Sequence, residues 1–288
     1  MTRLTDFSKN QLADFIRGQA MPLPDSWHLA LGSAADASSF TELTGTAYAR
    51  LELPRTLTDM AGTQAAASTL ASTGTSHATS NNNLLDWGTS GSAWGTAAYV
   101  GFFDDATAGE CWAWLPVPGG SVVIGSGDPV TIAISALKMT LGVSGGMSDY
   151  LANKLIDLMF RGQAYSYPAV AYAGYSTSAT TNSSAGTEPA IGGYARVAIA
   201  SSLAAWSGTQ GAGTTDPSSG TSGRISNNAA ITFPAPSGNQ GTVGWALLKD
   251  AATLGNLLFH HALAAAKTIG AGGVAASFEP DKFGISFD

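Results

Sequence analysis

The fold is decided by a short motif that the chain contains twice. The motif reads Thr41-Glu42, any five residues, Tyr48-Ala49-Arg50, and it returns as Thr187-Glu188, any five residues, Tyr194-Ala195-Arg196. The two copies are offset by 146 residues, about half of the 288-residue chain. A long-period repeat of this kind indicates a duplicated structural unit. Since half the chain has the length of an ordinary domain, the sequence predicts two tandem domains.

Upstream of each motif copy lies a segment with the apolar spacing of an amphipathic helix. The predicted helices span residues 4–18 and 148–162. Each begins at a Ser, Thr or Asp that can cap it and ends at a glycine. Both helices end in the same four residues, Arg17-Gly18-Gln19-Ala20 and Arg161-Gly162-Gln163-Ala164.

The rest of each half predicts short strands, with apolar residues alternating at period two along one buried face. The fold class is therefore mainly β: two tandem antiparallel β-sandwich domains, each preceded by a short N-terminal α-helix. We expect a first helix-plus-sandwich repeat at 1–142, a linker at 143–147 and a second repeat at 148–288. The predicted strands are 27–31, 48–53, 98–103, 110–115 and 130–141 in the first repeat, and 171–175, 194–200, 244–249, 256–261 and 276–287 in the second.

The middle of each half is a low-complexity stretch rich in Gly, Ala, Ser and Thr. Residues 57–80 and 201–226 hold few large apolar side chains, which is typical of long surface loops. Two hypotheses stay open for them. They are disordered surface loops, or they are extended arms that become ordered against a neighbouring subunit.

Composition excludes several classes of partner. Only 11% of the residues are charged, the net charge is −7, and 13 Lys and Arg residues occur without a basic cluster. Nucleic acid and anionic membranes are therefore unsuitable partners, because the phosphate-neutralising charge is missing. No run of about 18 apolar residues predicts a membrane span.

Residues that carry chemistry do not form a recognisable catalytic or cofactor motif. Nucleophile-elbow, phosphate-loop, dinucleotide and zinc-protease patterns are absent from the sequence, so we expect no enzyme activity and no cofactor or metal. His260 and His261 are adjacent on a predicted strand, where they point to opposite faces and do not share a metal. Cys111 has the character of a small buried residue.

Tryptophans concentrate in the first half, with Trp87, Trp94, Trp112 and Trp114 close together in sequence. If their rings are exposed, such a cluster supplies a stacking surface for sugars, and Trp94 and Trp114 are the candidates. The competing interpretation places these side chains in the core, because Trp87 and Trp112 align with Phe233 and Leu258 in the other half.

The repeated motif itself contains a candidate charged pair. Glu42 and Arg50 are eight residues apart, as are Glu188 and Arg196, so a loop folding back on its strand can join them. A carboxylate–guanidinium pair with a tyrosine beside it satisfies its own hydrogen bonds when partly buried. It supplies no poised acid, base or nucleophile. We therefore expect a structural signature made of Thr41, Glu42, Tyr48, Arg50, Thr187, Glu188, Tyr194 and Arg196.

The order of these features resembles a family of small virion proteins of tailed bacteriophages, described as head decoration or tail-fibre-associated proteins. The second half is the closer match, since Thr46-Ala47 stands in the first half where the second has Gly192-Gly193. The residues that carry the resemblance there are Gly186-Thr187-Glu188, Gly192-Gly193-Tyr194-Ala195-Arg196, Phe233-Pro234 and Asn256-Leu257-Leu258.

The resemblance implies a non-enzymatic virion structural protein that is made in the host cytoplasm. On this basis we expect a capsid decoration or cement protein on the outside of the particle. The alternative is a tail-fibre, tail-adaptor or baseplate-associated protein that binds a receptor or carbohydrate. The expected partners are other copies of the chain, as a trimer with six similar units in a ring, and the major capsid or tail proteins.

Overall fold

The computed structural model of the chain describes residues 3–141 and 146–287. In both repeats an α-helix precedes the main series of strands, and in the first repeat a two-residue strand comes before that helix. The first repeat contains β1 (Arg3–Leu4), α1 (Asp6–Ile16), β2 (Ser26–Ala35), β3 (Phe40–Glu42), β4 (Leu51–Pro54), β5 (Ala78–Ser80), β6 (Leu85–Thr89), β7 (Gly95–Ala97), β8 (Tyr99–Phe103), β9 (Cys111–Pro116), β10 (Val122–Ile124), β11 (Pro129–Ile132) and β12 (Lys138–Thr140). The second contains α2 (Asp149–Arg161), β13 (Val170–Ser176), β14 (Val197–Ala200), β15 (Arg224–Ser226), β16 (Ile231–Thr232), β17 (Gly241–Lys249), β18 (Leu257–Ile269), β19 (Ser277–Phe278) and β20 (Gly284–Ser286).

This architecture confirms the predicted mainly-β class with two sets of sheets. Within the described ranges, every pair of named strands is antiparallel. No helix in those ranges is both long and apolar enough to cross a membrane.

Capping sets both ends of each helix. The Thr5 hydroxyl accepts the amide of Ser8 at 3.3 Å, and the Ser148 hydroxyl accepts the amide of Leu151 at 3.2 Å. Gly18 and Gly162 follow the C-termini with φ of 81° and 64°. A Cβ at either glycine would lie 2.3 Å from the Ser201 carbonyl oxygen or 2.2 Å from that of Arg55, respectively. Only glycine fits these two positions.

One compact unit is built mainly from the first repeat, around the six-stranded sheet β1-β9-β8-β2-β3 with β4 also paired to β2. Its buried face carries the fully buried side chains of Trp27, Phe102 and Trp112, whose rings meet edge to face. The ribbons β10–β7, β11–β6 and β12–β5 complete this unit.

The other compact unit is built mainly from the second repeat, around the four-stranded sheet β14-β13-β17-β18. The ribbons β15–β20 and β16–β19 complete it. Its core includes Tyr175, Phe233, Leu248 and Trp206, all buried.

The segments of the two compact units do not follow the sequence repeats. The first unit combines the segment ending at Lys9 with Pro22–Leu141 and Asn153–Tyr165. The second combines Asn10–Met21 with 146–152 and 166–287. The C-terminal half of each helix therefore belongs to the unit formed mainly by the other repeat. The predicted domain limits, 1–142 and 148–288, stay a prediction. Of the predicted linker 143–147, residues 143–145 lie outside the described residues.

The structure corrects the last predicted strand of each repeat. The segment 130–141 is divided into β11 and β12, and 276–287 is divided into β19 and β20. Ser135 and Asp281, which are equivalent, adopt positive φ of 60° and 67° at the interruption. The Asn81 side chain bonds across the first interruption to Ala133 O at 2.9 Å, and Asn227 bonds across the second to Glu279 O at 2.9 Å.

Candidate functional site

In the first repeat the motif forms a network around the Glu42 carboxylate. Glu42 ends β3, and Arg50 directly precedes β4. The Arg50 guanidinium donates hydrogen bonds to the carboxylate from Nε at 3.1 Å and from Nη2 at 2.8 Å. The Tyr48 hydroxyl donates to Glu42 Oε1 at 2.9 Å and accepts the amide of Leu31 in β2 at 3.0 Å. The predicted pair therefore exists and is tied to the main sheet through Tyr48.

Arg50 also holds the turn that joins β8 to β9. Its Nη1 donates to the carbonyls of Asp105 at 2.8 Å and Ala108 at 2.5 Å. The guanidinium carbon lies 3.7 Å from the centre of the Phe103 ring, a cation–π contact. One side chain thus fastens a hairpin turn to the β3–β4 connection. We call this arrangement of glutamate, tyrosine, arginine and turn carbonyls the clamp.

The second repeat has a clamp of the same design. Arg196 donates to Glu188 through Nε at 2.8 Å and Nη2 at 2.6 Å, and Tyr194 donates to Glu188 at 2.7 Å. Arg196 Nη1 reaches the carbonyls of Ala251 at 2.6 Å and Leu254 at 2.8 Å in the β17–β18 turn.

Backbone geometry before each clamp tyrosine explains why its strand starts later than predicted. Ala47 has a φ of 63° and the equivalent Gly193 has a φ of 75°. The chain turns there, so β4 and β14 begin at Leu51 and Val197 rather than at the tyrosines. The first repeat keeps the positive φ of Gly193 at Ala47, whereas Gly192 also has a positive φ and the equivalent Thr46 does not.

The two motif threonines contribute through their backbones. Thr41 lies in β3 and is paired with Ala34 of β2. The Thr187 amide donates to Ser176 Oγ at 2.9 Å, and its carbonyl accepts the amide of Thr177 at 2.8 Å. Both threonines therefore lie where the motif segment is hydrogen-bonded to the main sheet.

In the second clamp, burial and neighbouring groups shift the pKa values of Glu188, Tyr194 and Lys249. Burial tends to raise the pKa of Glu188, but hydrogen bonds from Arg196 and Tyr194 outweigh it and hold the pKa below its ordinary value. Burial and the bond to Glu188 raise the pKa of Tyr194. Burial, together with the charge of Arg196, lowers the pKa of Lys249, whose Nζ lies 3.6 Å from Glu188.

The tyrosine of the first clamp is shifted in the same direction. Burial and then the charge of Glu42 raise the pKa of Tyr48. The clamp tyrosines thus stay protonated at neutral pH as hydrogen-bond donors. The geometry suits mechanical fixation of a turn, and neither phenol is poised for proton transfer.

A second duplicated network, which the sequence did not predict, surrounds a fully buried arginine. Arg161 at the end of α2 is 0% exposed. It pairs with Asp157 and donates to Met60 O at 2.9 Å and Leu70 O at 2.7 Å. The Ser72 amide donates in turn to Asp157 at 2.8 Å. The low-complexity segment 57–80 is therefore bound to the C-terminal half of α2.

The equivalent network involves Arg17 and the segment 201–226. Arg17 is 0% exposed, pairs with Asp14 at 2.7 Å and donates to Trp206 O at 3.0 Å. The Ser218 amide donates to Asp14 at 2.9 Å. We call 57–80 the first arm and 201–226 the second arm. Each arm is ordered along the helix of the other repeat, within one compact unit and one chain. The neighbouring subunit that the sequence suggested is not needed for this.

A signal for these networks was present in the sequence. The identical endings Arg17-Gly18-Gln19-Ala20 and Arg161-Gly162-Gln163-Ala164 preserve the arginine and the glycine that the structure requires. Sequence alone does not assign the partner, because the carbonyls that accept from arginine are backbone atoms, which any residue supplies.

The structure corrects the proposed aromatic surface. Trp94 and Trp114 are 4% and 8% exposed. Their indole N–H groups donate to the carbonyls of Thr46 at 3.0 Å and Asp36 at 2.8 Å. Trp94 packs edge to face on Tyr48, and Trp114 on Tyr99. Neither ring is presented for stacking on a sugar, because the core interpretation applies to both.

The remaining candidate residues are held in structural contacts. His260 bonds Thr180 at 2.8 Å and Asn182 at 3.0 Å, and burial lowers its pKa. Burial raises the pKa of Cys111 to about 12. Among the described residues, no three His, Cys, Asp or Glu side chains are grouped to hold a metal ion.

Comparison with known proteins gives one family. A family model described as "Podophage GP4 fiber I protein gp80" matches residues 3–140 and again residues 146–286. The two matches coincide with the two repeats and span nearly the whole chain. None of the curated proteins matches the chain.

Proposed function

The chain belongs to the podophage GP4 fiber I protein gp80 family, and we propose that it is a non-enzymatic structural protein of a virion fibre. The observation that carries the proposal is the match of one fibre-protein family to both repeats. The clamps support it, because they are built to fix turns and their tyrosines are held protonated. Membership of this family places the chain in the virion.

We assign the eight motif residues a structural role. In each repeat a glutamate bound to a sheet-anchored tyrosine orients an arginine toward two carbonyls of a hairpin turn. A bidentate pair with further charge-assisted bonds fixes direction as well as distance. The clamp thus holds in place the turn after β8 or β17.

Exposed apolar side chains support association with other virion proteins. Leu254, which lies in the turn that the second clamp holds, is 86% exposed, and Val123 is 73% exposed. Apolar residues this exposed, on a surface with few charges, suit protein contacts. The proposed partners are further copies of the chain, as a trimer, and the tail or major capsid proteins.

Imaging of purified virions tests the location. Gold-labelled antibody against the chain is expected on fibres, at a few to tens of copies per particle. Labelling of the head surface at hundreds of copies would instead establish the decoration role, and absence from purified particles would contradict both. A receptor-binding role would need a surface other than Trp94 and Trp114, since both rings are buried.

Native mass spectrometry tests the association. We expect a trimer at micromolar concentration, with Leu254→Asp and Val123→Asp each reducing it. Ala66→Asp is a control at another exposed position. A wild-type chain that stays monomeric at all concentrations would contradict the trimer.

A further inference from the structure

Each arm binds the helix of the other repeat. The first arm and residues 153–165 of α2 lie in one compact unit, and the second arm and residues 10–21 around the end of α1 lie in the other. The exchange is reciprocal, since each repeat gives a helix end and receives one.

The Nε and Nη1 contacts of the two arginines are equivalent, whereas their Nη2 groups donate to different carbonyls of the arms. Arg161 Nε donates to Met60 O, and Arg17 Nε donates to Trp206 O. Arg161 Nη1 bonds Ser72 Oγ at 3.1 Å, and Arg17 Nη1 bonds the equivalent Ser218 Oγ at 3.2 Å.

A threonine completes each site in the same way. Thr63 Oγ1 donates to Asn153 Oδ1 of α2 at 2.5 Å and accepts the Gly74 amide at 2.9 Å. Thr209 Oγ1 donates to Asn10 Oδ1 of α1 and accepts the Gly220 amide at 3.0 Å. The presence of the arrangement in both repeats indicates that each arm recognises a helix end in the same way.

Because the two arginines are buried, separating a helix end from its arm is expected to cost free energy. Both guanidinium groups are 0% exposed, and apart from one aspartate of the same helix, the partners named above belong to the other repeat's arm. A helix end withdrawn from its arm would leave the arm's backbone without the partners that order it. Charged donors without acceptors are costly unless they return to water.

Apolar packing adds to the polar contacts in the first unit. The Trp27 indole donates to Met159 O at 3.0 Å, and Phe160 lies 5.9 Å from the rings of both Trp27 and Phe102. The end of α2 is thus part of the core beneath the first repeat's main sheet.

We infer that the chain is a fused, helix-exchanged dimer in which each arm is a binding site for the helix of another repeat. The segment that connects the repeats is then dispensable for their association. In a single repeat, the arm would lack the helix end that it binds, and the helix end would lack an arm. The expected partner of a single repeat is therefore a second repeat of the same fold.

Cleavage of the full-length chain tests the inference. A protease recognition sequence is inserted between Gly142 and Gly146, the folded protein is cut, and the product is examined by gel filtration and native mass spectrometry. We expect the two fragments to remain together one to one at micromolar concentration. Separation of the wild-type fragments, or their aggregation after cutting, would overturn the inference.

Paired variants identify the contacts responsible. The double variant Arg17→Ala/Arg161→Ala is expected to separate after cutting. Arg3→Ala, which removes an exposed arginine of β1 outside both arms, should leave the cut complex intact. Retention of the complex by the double variant would contradict the role given to the buried arginines.

A milder pair covers the case in which the arginine variant does not fold before cutting. Thr63→Val/Thr209→Val keeps side-chain shape and removes only the two hydroxyls. Mixing cut, tagged complex with cut, untagged complex measures fragment exchange. The valine pair is expected to exchange at least about tenfold faster than wild type, which corresponds to about 1.4 kcal/mol. An unchanged exchange rate would overturn the assignment of the arms.

Discussion

The two clamps keep one geometry and differ in what surrounds it. In the first, the Arg50 guanidinium lies 3.7 Å from the centre of the Phe103 ring. In the second, the equivalent position is Lys249, 3.6 Å from Glu188. Glu42 thus pairs with one cation, whereas Glu188 lies close to two. Both clamps share the bidentate Glu–Arg pair and the two turn carbonyls, so we infer that the fold requires these. The residue at the position of Phe103 and Lys249 differs between the repeats.

The outer faces of the two main sheets differ more. Phe40 occupies the space above Gly32 and Gly101, where a Cβ would approach its ring within 3 Å. The equivalent of Phe40 is Gly186, beside Ser176. The strand after the clamped turn has six residues in β9 and thirteen in β18. These surfaces have diverged more than the clamps, so the outer faces of the two main sheets are not alike.

Truncating the buried arginines should have the largest effect and should affect the two units separately. Arg161→Ala leaves Asp157 buried without its cation and leaves carbonyls of the first arm without the guanidinium that donates to them. Loss of one partner of a buried, hydrogen-bonded pair costs about 3–5 kcal/mol. Hydrogen exchange read by mass spectrometry should show faster exchange in the first arm for Arg161→Ala and in the second arm for Arg17→Ala.

The half-exposed pair Arg224–Asp281 provides the control. Its side chains are 41% and 39% exposed, so Arg224→Ala should cost about 1 kcal/mol or less. Faster exchange in both arms from either arginine variant would show that the arm sites do not act independently.

Removing the clamp charge should have the next largest effect, and a larger one in the second repeat. Glu188→Gln leaves both Arg196 and Lys249 without a carboxylate, and hydrogen bonds to charged groups contribute about 1.5–3 kcal/mol. Glu42→Gln affects a single cation that retains the Phe103 ring, so we expect about 1 kcal/mol less. Urea unfolding measures both, and equal losses would contradict a distinct role for Lys249.

Much of the fold follows from the sequence because the repeat reveals what is essential. The helix caps at Thr5 and Ser148, the glycine stops and the Glu–Arg pairs all rest on local spacing and side-chain chemistry, which a sequence displays directly. Aligning two copies also separates retained residues from variable ones, as homologues otherwise do.

The remainder depends on contacts between distant residues. The arms have no apolar pattern, and their order comes from backbone groups bonded to Arg17 and Arg161. The burial of Trp94 and Trp114 depends on tertiary packing, and tryptophan suits both surface and core. The interruptions at Ser135 and Asp281 are left-handed residues without glycine, which alternation does not reveal.

Acid should weaken the second clamp. The folded pKa of Glu188 lies below its ordinary value of 4.5, so the native state binds fewer protons than the unfolded state as pH falls. The stability it contributes is present above about pH 4.5 and is lost as the pH drops through the folded pKa. The difference in unfolding free energy between wild type and Glu188→Gln should therefore shrink below pH 4.5. A constant difference from pH 7 to pH 3 would contradict this.

The turn before the clamp tyrosine should give the smallest effect, with opposite signs in the two repeats. Ala47 is exposed and holds a φ of 63°, where a left-handed non-glycine residue costs about 1–2 kcal/mol. Ala47→Gly removes that strain but raises the conformational entropy of the unfolded chain, which opposes folding. The net effect should be a stabilisation of about 0.5–1 kcal/mol. Gly193→Ala introduces the strain and places a Cβ 3.0 Å from Ser237 Oγ, so it should destabilise by about 1 kcal/mol or more. Thermal unfolding of the two variants decides the point, since loss of stability in Ala47→Gly would mean that the first turn does not reproduce the second.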